Sequence, residues 1–268
     1  MPNYADKNEV LYHIGLSRAQ LEGAEYALLP GDPGRVEGIA GVFNNAKYLG
    51  AHREYTSWLC DAVEGLPVLV CSTGMGGPSV AICIEELARI GIKYFIRVGT
   101  TGSIQEHVQL GDVIINNAAV RLDGTSSHYA PENFPAAADF MLTKGLQESA
   151  VQVKVPYHVG ISVSSDTFWP GQERYDSYTG YVLPKLQGSL AMWRQLGALN
   201  CEMETATLFV VAQTFGLCSA SICGVVAART QSEQVAGNEI YELSQKRIYT
   251  VLKDFFQKTA EKQKGGVK

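Results

Sequence analysis

Residues 164–176 read SSDTFWPGQERYD. Two aromatic residues, Phe168 and Trp169, stand before a Pro-Gly turn, and an amide, Gln172, and a guanidinium, Arg174, stand after it. Two readings suit these residue types. One is a polar surface loop closed by the turn. The other is a pocket in which an aromatic face stacks on a flat ring while directed donors read the ring's edge. The stretch by itself leaves both open.

Three further stretches carry groups that suit an anion. In LLPGDPGRVEGIA (28–40) the Gly-Asp-Pro-Gly run forces a tight turn, and Arg35 follows at the expected start of a helix. The backbone N–H of Gly31, a helix N-terminus and a guanidinium together suit a phosphate, although a plain turn has the same composition. In IRVGTTGS (96–103), Arg97 is set among Phe95, Ile96 and Val98, a costly place for a guanidinium unless something pairs with it. Either a buried carboxylate or a bound anion would serve. Thr100, Thr101 and Gly102 follow, expected as a loop that offers hydroxyls and close backbone approach. CSTGMGGPS (71–79) resembles a phosphate cradle but lacks the lysine of a P-loop, which points to packing or positioning. AHREYTSW (51–58) adds Arg53, uninformative alone.

NCEMETA (200–206) places Glu202 and Glu204 on either side of Met203, where a loop enters a helix. A carboxylate in a first helical turn is favourable in its own right. Two carboxylates can also take hydrogen bonds from vicinal sugar hydroxyls, or act as an acid–base pair. They have no His or Asp companion at a metal-binding spacing, which argues against metal catalysis and leaves room only for a cation held by oxygens.

These residues need a scaffold. The chain has 268 residues, of which 46% are hydrophobic and 18% charged, ample material for a core. The formal net charge is −5 and no basic stripe appears, which argues against nucleic acid as a partner. Six cysteines lie mostly in apolar surroundings without a CxxC pair and read as small core residues in a reducing compartment. MPNYADKNEV carries no apolar leader and no stretch is long enough to span a bilayer, so a cytoplasmic protein without membrane contact is expected.

Apolar runs at 24–30, 67–73, 93–99, 112–120, 158–165 and 218–227 predict strands, several buried on both faces. Residues 79–91, 188–197, 202–216 and 239–262 predict helices, and the terminal EKQKGGVK is expected to fray. Strands alternating with helices predict a layered α/β fold with a largely parallel sheet. With no linker or repeat, one domain over 1–268 is expected, and ligands should bind at the carboxyl ends of strands.

PGDPGR, HREYT, STGMGGPS, RVGTTGSIQ, GDVIINNAAVRLDG, SSDTFWPGQERYD and NCEMETATL, in this order over nearly the whole chain, resemble the nucleoside phosphorylase-I family. GQERYD is the most specific stretch and is similar to the uridine-cleaving bacterial members. The resemblance implies a three-layer α/β/α sandwich around a mixed, partly barrel-like sheet. It implies reversible phosphorolysis of uridine to uracil and ribose 1-phosphate in pyrimidine salvage, with deoxyuridine and thymidine as lesser substrates. Phosphate would be held by Gly31, Arg35, Arg97 and Thr100, with Arg53 reaching in from a neighbouring subunit. Ribose would meet Glu202, Met203 and Glu204, with His13 crossing the same interface. The base would meet Gln172 and Arg174 in a pocket of Thr101, Gly102, Phe168, Val226 and Ala227, and Arg97, Gln172 and Arg174 would carry the catalysis. A homo-oligomer with shared sites, a hexamer of dimers, is implied. So is a monovalent cation such as potassium at Glu54, Met75 and Ser79, with no other cofactor.

Two departures bear on the base. Purine-cleaving relatives carry an Asp after the late strand, whereas GVVAARTQ (224–231) has none. The expected lid at 231–238 has Ala228 before Arg229 and EQVAG where a proline is usual, which touches the ranking of pyrimidine substrates. A nucleosidase that uses water, and a nucleoside-binding protein without turnover, are the competing readings. The first would have lost the arginines, and the second would need no such complete set. His52, His107, His128 and His158 are expected to be solvated or structural.

Overall fold

A computed structural model describes residues 2–265 of the chain. The six expected strands form as β1 (Tyr26–Leu29), β4 (Leu66–Cys71), β5 (Tyr94–Ser103), β6 (Val113–Leu122), β8 (Tyr157–Ser165) and β10 (Cys218–Ala228). The four expected helices form as α2 (Gly77–Arg89), α4 (Ser189–Gln195), α5 (Thr205–Thr214) and α6 (Asn238–Gly265). Helix α6 takes in the first part of the tail expected to fray, and residues 266–268 lie outside the described residues. Added to these are α1 (Val36–Ala40), the hairpin of β2 (Asn44–His52) and β3 (Tyr55–Val63), β7 (Ala136–Ala137), α3 (Phe140–Gln152) and β9 (Asn200–Glu202).

The strands make one sheet in the order β10-β6-β8-β9-β5-β1-β4-β3-β2, with β7 beside β6. Strand β10 also pairs with β5. That second pairing closes β10, β6, β8, β9 and β5 into a barrel and leaves β1, β4, β3 and β2 as an open wing. Five pairings are parallel and five antiparallel, which corrects the expected largely parallel sheet. The reason is local. Strand β6 runs against β10, β9 against β5, and the β2–β3–β4 ribbon returns on itself.

Two hydrophobic layers flank the sheet. Alternate residues of β1 serve both: Ala27 and Leu29 face the layer under α2 and α5, and Tyr26 and Leu28 face the layer under α1, α3 and α6. Period-two alternation with both faces buried explains why β1 reads as a continuous apolar run. Helix α5 is buried over its first eight residues, Thr205 to Ala212, so ATLFVVA shows no polar stripe.

Candidate active site

A cavity of about 720 Å³ opens where β1, β4, β8, β9 and β10 end and where β5 passes beneath. Every cavity residue implied by the resemblance lines it, apart from Arg53 and His13. Strand order separates the lining into two flanks. Gly31 and Arg35 follow β1, and Phe168, Gln172 and Arg174 follow β8, with β9 and β5 between them.

The Gly31–Arg35 turn is held by Asp32, whose carboxylate accepts from the Gly34 amide at 2.8 Å. Arg35 ends a 3-10 turn, and α1 after it has only five residues. Arg35 thus stands at the start of a helix, as expected, but the helix is short, and the anion-binding capacity of this flank lies mainly in the guanidinium and backbone. Arg35 is buried, hydrogen-bonds Gln245 of α6, and leaves Nε without a partner. No carboxylate forms an ion pair with it among the described residues. Burial pulls its pKa below the ordinary guanidinium value. A buried cation with no counter-ion is a site that an anion stabilises.

Arg97 is paired, as one of the two readings required. Its Nε meets Glu202 Oε2 at 3.1 Å and its Nη2 meets Glu204 Oε2 at 2.7 Å. Burial opposes its charge, but Glu204 and then Glu202 outweigh that, so its pKa stands above the usual range. The GTTG residues are not a loop after β5, as expected, but part of the strand. Gly99 explains this: a Cβ there would lie 2.6 Å from Cys223 Sγ and 2.9 Å from Arg97 Nη2. Glycine lets β5 press against β10 while Arg97 folds back beside its own strand.

Glu202 ends β9 and Glu204 stands at the N-cap of α5. Glu202 Oε2 accepts from the amides of Glu204 and Thr205 at 2.9 and 2.8 Å, so the helix-start role expected of Glu204 falls to Glu202, and the Glu204 side chain makes no capping bond. Glu204 Oε1 accepts from Gly76 N at 2.7 Å, so the Gly-rich loop before α2 has the positioning role predicted for it. Burial raises the Glu204 pKa against the pull of Arg97. Thr101 turns its hydroxyl away from the cavity to the Cys201 carbonyl, 2.7 Å distant. A register shift in β10 between Val225 and Ala227 turns both Val226 and Ala227 to the cavity wall.

On the other flank, Arg174 lies over the Phe168 ring, 4.2 Å from its centroid. Its Nη1 donates to Glu233, at 2.6 Å to the carbonyl and 3.1 Å to the carboxylate, and its Nε is buried without a partner. Arg229 donates to the same carboxylate from Nε and Nη2, each at 3.0 Å, and to the carbonyls of Gln172 and Glu173. Burial, then the neighbouring Arg229, lowers the pKa of Arg174. Glu173 has φ +52°, and its carboxylate takes the amides of Gly188 and Leu190 at 2.5 and 2.6 Å, pinning the loop to the start of α4. Sequence reasoning assigned no role to Glu173, Arg229 or Glu233. It counted no acid near the base flank, yet Glu233 lies there. This carboxylate accepts hydrogen bonds from two guanidiniums. Only the charged make-up of RTQSEQ hinted at it.

His13 and Arg53 stand outside this cavity and close to each other. The His13 ring meets Glu86 at 2.6 Å, and Arg53 reaches the exposed Tyr12 at 3.1 Å. His52 bonds the His13 carbonyl and His158 bonds Asp112, structural roles as expected. Glu54, Met75 and Ser79 gather round Gly74, whose added Cβ would fall 2.9 Å from Glu54 and 3.3 Å from Ser79 Oγ. Glu54 offers a carboxylate and Ser79 a hydroxyl here, oxygen donors of the type a hard cation takes, with the Ser79 hydroxyl bonded to the Met75 and Gly76 carbonyls.

The sequence profile of the Phosphorylase superfamily matches residues 25–257. A uridine phosphorylase of Salmonella typhimurium is 49% identical over 223 residues, 83% of this chain and 88% of that one. One from Escherichia coli is equally similar over the same shares. One from Haemophilus influenzae is 47% identical over 242 residues, 90% of this chain and 96% of that one. The chain belongs to the phosphorylase superfamily. No helix among the described residues is long and apolar enough to cross a membrane.

Proposed function

We propose that this protein catalyses the reversible phosphorolysis of uridine, giving uracil and ribose 1-phosphate in pyrimidine salvage. One observation carries the choice of phosphate over water. Arg35 is a buried guanidinium without a carboxylate partner among the described residues, in the same cavity as Gln172 and Arg174. Phosphate would sit against Gly31, Arg35, Arg97 and Thr100. Ribose would lie along Met203, Glu204 and Glu202, and uracil between Phe168, Gln172, Arg174 and the Val226–Ala227 wall. As the glycosidic bond breaks, electrons move into the base and collect on its carbonyl oxygens. A fixed guanidinium at Arg174 stabilises that charge more in the transition state than in the ground state. The sugar becomes cationic, and phosphate stabilises it and then attacks C1′. The protein's contribution is position and electrostatics.

The proposal extends to a cytoplasmic homo-oligomer, a hexamer of dimers, in which Arg53 and His13 complete the neighbour's cavity. Both lie outside their own cavity and beside exposed Tyr12, which supports that reading. A structural potassium ion at Glu54, Met75 and Ser79, and lesser activity on deoxyuridine and thymidine, belong to the same proposal. Phosphorus NMR of a uridine reaction tests it. Ribose 1-phosphate should appear one-to-one with uracil, and free ribose in its place would refute it.

A further inference from the structure

Beneath the cavity, the closed barrel contains a polar layer. Each of its five strands contributes one side chain: Thr101 from β5, Asn116 from β6, Ser162 from β8, Asn200 from β9 and Ser221 from β10. All five are buried, four of them completely. Strands β6 and β9 are not neighbours, so the 2.8 Å bond from Asn116 Nδ2 to Asn200 Oδ1 crosses the barrel interior. An apolar filling would avoid the desolvation cost of such a layer.

The bonds run in one direction. Ser221 donates to Asn116 Oδ1 at 3.2 Å and Asn116 donates to Asn200. Asn200 Nδ2 donates to both Thr101 Oγ1, at 2.7 Å, and Ser162 Oγ, at 3.2 Å. With Asn200 as donor, the Ser162 hydroxyl proton is left for Glu202 Oε1, 3.0 Å away. The other oxygen of Glu202 takes Arg97 Nε and two backbone amides. The Glu202 side chain is only 1% exposed, so it faces the protein more than the cavity. Arg97, with Nε and Nη2 held by carboxylates, keeps Nη1 for a ligand.

We propose that this layer is a positioning device: Asn200 and Ser162 orient Glu202, and Glu202 sets the aim of Arg97. The inference rests on Arg97 as a phosphate-binding group. It makes Asn200 and Ser162 positioning residues whose loss weakens phosphate binding; Ser162, bonded to Asn200 and Glu202, leaves the base flank untouched, whereas Asn200 also holds Thr101 of the base pocket.

Steady-state kinetics on the full chain test this, with phosphate varied and with uracil as inhibitor. Ser162→Ala removes one oxygen and is expected to raise the phosphate KM about tenfold while uracil inhibition stays within about twofold. Asn200→Ala should shift the same constant further, and Ser162→Ala decides the matter whatever the stability of that second variant. A general loosening of the fold would move both constants together, and that result overturns the proposal. So does an unchanged phosphate KM in Ser162→Ala. A wild-type protein without phosphate-dependent cleavage removes the functional reading, and this one with it. An active wild type indistinguishable from Ser162→Ala removes this inference alone.

Discussion

The two flanks of the cavity hold their arginines by different means. Arg97 rises from the middle of a barrel strand, and Arg35 sits in a turn braced by Asp32 and Gln245, so the flank proposed for phosphate is one strand and one braced turn. The base flank is two loops, 166–188 and 229–237, stitched together by Glu173, Arg229 and Glu233. Arg174 and Arg229 are both buried, and Glu233, with a third of its side chain exposed, is the carboxylate between them. Two guanidiniums thus share one carboxylate beside the position where, on the proposed reading, the leaving base would gather negative charge. The comparison teaches a division of labour. On the proposed reading the co-substrate would meet a strand and a braced turn, and the leaving group two loops tied by ion pairs.

The division breaks most sharply at Arg174. Arg174→Ala should lower kcat/KM for uridine by roughly 100- to 1000-fold with phosphate KM little changed. Initial rates over a grid of both substrates read this, and a matching loss of phosphate affinity would join the two flanks. Arg35→Ala is the mirror test. Losing charged hydrogen bonds to an anion should raise phosphate KM about 30-fold, with uracil inhibition intact. Glu233→Gln leaves two buried guanidiniums without their carboxylate. A roughly fivefold rise in uridine KM and faster proteolysis within 229–237 are expected, the proteolysis being slowed by saturating uracil.

The smallest effect is assigned to Glu173→Gln, which replaces a carboxylate taking two amides and should cost about 1 kcal/mol in thermal unfolding. Burial opposes the Glu173 charge, but the amides of Leu190 and Gly188 outweigh it and lower its pKa. Its stabilisation is thus complete above the ordinary carboxylate range and is lost as pH falls through the lowered value. A denaturation series across that acid limb should be flatter in Glu173→Gln than in wild type.

Legibility in the sequence followed the same divide. The apolar runs of β1, β4, β5 and β10 announce their strands because both faces are buried. The β2–β3 hairpin escapes notice because β2 is mostly exposed and its turn uses Arg53 at φ +55° instead of glycine. Helix α3 had a readable signal, Asp139 capping the Leu142 amide, hidden by the alanines before it. Barrel closure is invisible because it depends on β10 pairing with both β5 and β6, partners more than 100 positions away. In the site, residues with chemistry at short spacing, such as Gln172 with Arg174, stood out. Glu233 and Asn200 did not, since their partners are remote in sequence: Arg174 lies 59 positions from Glu233, and Asn116 lies 84 from Asn200.

The most direct test of the whole account is the initial rate of uridine loss, followed by ultraviolet absorbance as phosphate is titrated from zero, with inosine in parallel. Uridine cleavage that rises from nothing and saturates with phosphate, with inosine untouched, is the result this site predicts. Uridine cleavage at full rate without phosphate, or equal cleavage of inosine, would contradict it.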